Sequence, residues 1–116
     1  MAIRKGLDSP PPAPPRRLDL DVLRAQTGGD AGLEREVLRL FLAKSETDFA
    51  RIAAAATPAL RRHAAHGLVG SARAVGANDV ARLAAAVEHG ESNGDAGLPA
   101  LRDALTAVQD IIRAME

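Results

Sequence analysis

The sequence predicts an all-α domain, an antiparallel up-and-down four-helix bundle with a short leading N-terminal helix, and three observations carry that prediction. Twenty-five of its 116 residues are alanine, the strongest helix former, and β-branched residues are few. Apolar residues recur at steps of three and four, and no period-two segment competes. Capping residues and helix breakers stand at the ends of the periodic stretches.

Each element follows in order. Residues 1–17 hold five of the seven prolines and no apolar periodicity, so they read as a disordered Pro-rich leader ahead of a domain over 18–116. Leu18, Leu20, Val22 and Leu23 make a short helix, with Asp19 or Asp21 placed to cap it and Gly28-Gly29 to end it. Asp30 caps a longer helix whose expected buried face is Leu33, Val37, Leu40, Phe41, Phe49, Ile52 and Ala56. Thr57-Pro58 is an N-cap followed by proline at the first helical position, opening a helix that runs to Val75 with Gly76 as its left-handed end. Asn78 is expected to cap the next helix, which carries Val80, Leu83, Ala84 and Val87 on one face and ends near Gly90. After a turn-rich stretch over 91–97, Leu98, Leu101, Leu105, Val108, Ile112 and Met115 form the seam of a last helix.

Composition narrows the function classes. Fifteen basic residues balance fifteen acidic ones, and Phe41 and Phe49 are the only aromatics, so there is little to draw or stack nucleic acid. No cysteine is present, which removes disulfides, thiolate catalysis and cysteine-ligated metal centres. There is neither an apolar run of spanning length nor a secretory signal, which leads to an expected cytoplasmic, membrane-free monomer. With two lysines and no GxxxxGK[ST] loop, the chain offers no nucleotide cradle.

The chemistry concentrates on the helix containing Arg62, His63, His66, Gly67, Val69, Gly70 and Arg73. At about 100° per residue, with His66 at zero, Leu60, Ala64, Leu68, Ser71, Ala72 and Val75 define the expected buried side. His66 then points to solvent, flanked by Arg62 and Arg73 at about −40° and −20°, Gly70 at about +40°, His63 at about +60° and Val69 at about −60°. A glycine within an exposed helix costs about 1 kcal/mol relative to alanine, so Gly70 signals close approach by another molecule. A neutral imidazole can attack a phosphoryl group to form a phosphohistidine, and nearby guanidinium groups can neutralise its charge.

The run Ala65-His66-Gly67-Leu68-Val69-Gly70-Ser71-Ala72, followed by Val75-Gly76-Ala77, resembles the AHxLKGSAxxxGA signature of the histidine-containing phosphotransfer (HPt) domains of bacterial phosphorelays. The likeness extends over most of residues 18–90. It implies a phosphoryl carrier, not an autonomous enzyme, whose His66 takes a phosphoryl group from a receiver-domain aspartate and passes it to another. It also implies response-regulator receivers or a hybrid histidine kinase as partners, and Mg²⁺ on the receiver, with no cofactor on this chain. One departure is that the family's lysine three residues after the histidine is Val69 here. Arg62 or Arg73 is expected to replace that cation, with Gly67 and Val69 forming partner surface.

Other readings compete. His63 and His66 could share a metal ion, but no acidic residue lies within a turn on that face and two arginines would repel a dication, so no metal site is assigned. A docking module of the same shape, binding a receiver or kinase without phosphotransfer, is the main alternative. A sensor kinase's dimerisation helix pair would carry an acidic residue directly after the histidine, where Gly67 stands.

Overall fold

The computed structural model describes residues 18–90 and 97–115. The expected leader over 1–17, and all of the expected loop except Gly97, lie outside the described residues. Five helices and no strand make up the described part: α1 (Leu20–Thr27), α2 (Ala31–Ala54), α3 (Pro58–Val75), α4 (Asn78–Glu88) and α5 (Leu98–Ala114). None is long and apolar enough to cross a membrane.

Side-chain caps start the first three helices. The Asp19 carboxylate accepts from the Asp21 N–H at 3.0 Å, that of Asp30 from the Leu33 N–H at 3.0 Å, and Thr57 Oγ1 from the Leu60 N–H at 3.1 Å. Each satisfies a donor that has no intrahelical partner. Asn78 does not cap α4. It is the first helical residue, and Ala77 stands at the cap position without a side-chain bond. The reason lies in the preceding turn: Gly76 adopts φ +78° and the Ala77 N–H donates to the Ala72 carbonyl at 2.8 Å. Helix α4 therefore springs directly from the closing turn of α3.

The core joins Leu23 of α1, Ile52 of α2, Leu68 of α3, Val80 of α4 and Leu101, Leu105 and Ile112 of α5, all essentially inaccessible to solvent. Helix α3 packs against α2 and α4, and α5 packs against the same two helices. Between α2 and α4, and between α3 and α5, no close backbone contact exists among the described residues. Helix α1 rests on α2 and α3.

The buried face of α2 differs from the expected one. Leu33 and Leu40 are 45% and 61% exposed, and the buried positions are Leu38, Phe41, Ser45, Asp48 and Ile52. Ala56 lies beyond the end of the helix. Apolar periodicity misplaced the stripe because two of its members are polar and have partners. Asp48 accepts from Lys44 at 2.7 Å, and Ser45 Oγ from Gln109 Nε2 at 3.4 Å.

That Gln109, buried on α5, belongs to a clamp between α5 and α2. Its amide also donates to Glu46 Oε1 at 2.7 Å, while Arg102 donates to both Glu46 oxygens, at 2.8 and 3.2 Å, and lies 4.8 Å from the Phe49 ring centre. The hydrogen bonds from Arg102, then those from Gln109, hold the Glu46 carboxyl below the usual carboxylate range. A carboxylate with a lowered folded pKa stabilises the fold fully above its unfolded pKa of about 4.3, and that contribution is lost as pH falls through the lowered value. Because the Glu46 side chain is 49% exposed, solvent screening keeps the effect under about 1 kcal/mol. Denaturant titrations across the acid range should show wild type losing stability more steeply below about pH 4.3 than Glu46→Gln. Parallel curves would mean that the clamp adds nothing through its charge.

Candidate functional site

Helix α3 presents the histidine face, but turned by about 60° from the helical-wheel expectation. Its buried residues are Ala65, Leu68, Val69, Ala72 and Val75. Leu60, expected inside, is 56% exposed, and Ala64 and Ser71 are half-buried. Val69, expected as partner surface, is 3% exposed and belongs to the core. The rotation arises because α3 packs on two flanks, and the contact with α4 draws the Ala65–Val69 edge inward.

The His66 side chain is 73% exposed. Arg62, His63, Gly70 and Arg73 are exposed beside it, while Gly67 is half-buried against α2. A Cβ placed on Gly70 would meet nothing within 4 Å, so the surface one turn beyond His66 is open. At Gly67 a Cβ would stand 4.0 Å from Lys44 Nζ.

Sequence reasoning missed the partner of the imidazole. His66 Nδ1 lies 2.5 Å from Glu88 Oε2, at the last residue of α4. The acidic residue absent from the histidine's own helix is supplied by the next one. Beside an ionised carboxylate, which only accepts, a neutral imidazole carries its proton on Nδ1 and its lone pair on Nε2. A signal for this pairing exists in the sequence. Two helices joined by a tight turn place residues equidistant from that turn level with one another. In the Gly76-Ala77 turn, Ala77 stands eleven residues after His66 and eleven before Glu88.

A groove of about 540 Å³ runs beside this face between α2 and α3, lined by Ala54, Ala56, Leu60 and Ala64, with Lys44, Asp48, Arg51 and His63 among its polar residues. Lys44 also borders a smaller apolar recess with Leu40 and Ala74. Among the described residues no three His, Asp or Glu side chains gather as a metal-holding group.

The arrangement provides a solvent-facing nitrogen nucleophile with its second nitrogen fixed by a carboxylate. Glu88 holds the imidazole in that orientation. If His66 is the phosphoacceptor that the sequence leads one to expect, Glu88→Ala slows phosphoryl uptake by about 10- to 100-fold, the range seen when the outer partner of a metal-bound histidine is removed. Nitrogen NMR should then show the His66 proton shifting from Nδ1 toward Nε2, and Glu88→Gln, which can still accept, should restore much of the rate. An unaltered tautomer with an unaltered rate would remove Glu88 from the site.

Comparison with known proteins bears on the family and the fold. The family model described as "Hpt domain" matches residues 36–111, more than half of the chain and including all of α3 and α4. No curated protein sequence matches. Among solved structures, the HPT domain from the Hpt sensor hybrid histidine kinase of Shewanella superposes with a TM-score of 0.71 at 20% sequence identity, covering 85% of this chain and 92% of that one. At that identity the likeness concerns the fold.

Proposed function

The chain belongs to the Hpt domain family, and from that premise we propose that it is a phosphorelay intermediate carrying its phosphoryl group on His66. The observation that carries this assignment is the bond between Glu88 and His66 Nδ1, which leaves Nε2 as the nucleophile. His63 and His89 are also exposed, but His66 alone is so held among the described histidines. An antiparallel up-and-down bundle of α2–α5 accounts for the helix contacts and leaves the outer face of α3 uncovered.

In the proposed step the Nε2 lone pair attacks the phosphorus of a receiver's aspartyl phosphate. The N–P bond forms, the P–O bond breaks, and the aspartate carboxylate leaves with the electron pair. The Nδ1 proton stays in place, and the positive charge that develops on the ring faces the Glu88 carboxylate. Attack by a second receiver's aspartate on the phosphohistidine reverses the sequence and passes the group on. We assign the Mg²⁺ of the reaction to the receiver, together with most of the catalytic groups, so this chain acts as a carrier. The opening at Gly70 leaves room for the receiver's acidic pocket to approach, with Arg62 and Arg73 at its border.

Incubation with a phosphorylated receiver tests the assignment. Base-stable, acid-labile label that peptide mapping places on His66 is the expected result. A stable complex with the receiver that never acquires label would instead identify a docking module.

A further inference from the structure

We propose that Lys44, reaching from α2 across Gly67, is the cation that neutralises a phosphoryl group carried on His66 Nε2. The proposal rests on the phosphorelay reading and names a further group that contacts the transferred phosphoryl.

The direction of the imidazole carries the argument. Its two nitrogens point to opposite sides of the ring, and Nδ1 is committed to Glu88 on α4. Nε2 is therefore turned away from α4. Helices α2 and α4 flank α3 with no close backbone contact between them among the described residues, so the side away from α4 is the side of α2 and the groove. Arg62 and Arg73, at about −40° and −20° around the helix, lie on the other edge of His66, toward Glu88 and Nδ1.

Lys44 is one of two lysines in the chain, and it stands at this groove. Its Nζ lies 4.0 Å from where a Gly67 Cβ would be, beside the residue that follows the nucleophile. The Lys44 side chain is 54% exposed, and its ammonium is held at 2.7 Å by Asp48, whose own side chain is 8% exposed. A buried carboxylate one turn along thus stations a flexible cation at the mouth of the groove. Phosphoryl transfer depends largely on positioning and charge neutralisation, the contribution available to such a lysine.

Phosphoramidate is a suitable probe because it needs no partner protein. His66 Nε2 attacks its phosphorus, the N–P bond to histidine forms, and the donor's own P–N bond breaks as ammonia leaves from the protonated donor with the electron pair. Lys44→Met keeps the length of the stem and removes the charge. It is expected to acquire label on His66 about tenfold more slowly than wild type, with unchanged helical circular dichroism. Lys44→Arg should recover most of the rate. In phosphorus NMR the titration midpoint of the phosphohistidine should lie higher in Lys44→Met than in wild type, because a neighbouring cation favours the doubly ionised phosphoryl group. A role confined to the fold would not move that midpoint. Wild-type rate and midpoint in Lys44→Met, or a Lys44→Arg variant as slow as Lys44→Met, would overturn the proposal while labelled His66 in wild type leaves the carrier reading intact. Wild type that takes no label on His66 would overturn both.

Discussion

His66→Gln is expected to abolish phosphoryl uptake while leaving the fold untouched. Glutamine retains polarity and comparable length, but its amide nitrogen has no available lone pair, so no phosphoryl–nitrogen bond forms under relay conditions. The His66 side chain is 73% exposed and its bonding partner Glu88 lies at the end of a helix. Surface changes of this kind usually alter stability by less than about 0.5 kcal/mol. Base-stable label should therefore disappear completely in the variant, with the thermal midpoint and the helical spectrum of wild type retained. His63 and His89 provide the internal control, since both are exposed and remain in the variant. Label persisting on either would move the phosphoacceptor and sink the assignment built on Glu88.

Gly76→Ala is expected to be the most damaging small substitution for the fold, at about 2–4 kcal/mol. Two causes add at that position. Gly76 has φ +78°, where an L side chain costs roughly 1–2 kcal/mol. A Cβ there would also run into the Asp19 backbone carbonyl. The two backbones are held together because the Asp19 N–H donates to the Gly76 carbonyl at 2.8 Å. Gly28 separates the causes: it has φ +67° but open space around it, so Gly28→Ala should show the conformational cost alone, about 1–2 kcal/mol. In a domain of this size the Gly76 variant should lose on the order of 10 °C or more in thermal midpoint. Equal losses at the two glycines would show that the approach of the Asp19 backbone contributes nothing. Damage at Gly76 also bears on function, since this turn sets the register that brings Glu88 level with His66.

Much of the fold was legible because helix ends are local events. Asp19, Asp30, Thr57, Gly28 and Gly76 act through bonds and dihedral angles within a few residues of themselves, so residue type and spacing suffice to recognise them. Asn78 misled because the side chain suits a cap, while the preceding turn, bonded to Ala72, had already taken over that position. Leu33, Leu40 and Leu60 misled for a different reason. Burial depends on which neighbours cover a helix, and an apolar residue is not obliged to be inside. Ser45, Asp48 and Gln109 were overlooked as core positions because polar side chains enter a core once partners satisfy them.

The candidate site divides along the same line. Exposure of His66, Arg62, Arg73 and Gly70 follows from helical periodicity within one element. The place of Val69 does not, because a rotation of about 60° suffices to carry a residue at the edge of a face from surface to core. Neither Glu88 nor Lys44 belongs to the histidine's helix; the tight turn at Ala77 marks Glu88 as level with His66, whereas nothing in the spacing singles out Lys44.

The sequence by itself determined the five helices of the described residues, most of their caps and the solvent-facing imidazole, because these depend on interactions between residues near in the chain. Tertiary structure alone decided which nitrogen of that imidazole is held, which lysine stands beside the groove and which valine is buried. Those outcomes depend on how helices are rotated and paired, and that pairing is settled by packing among residues distant in the chain.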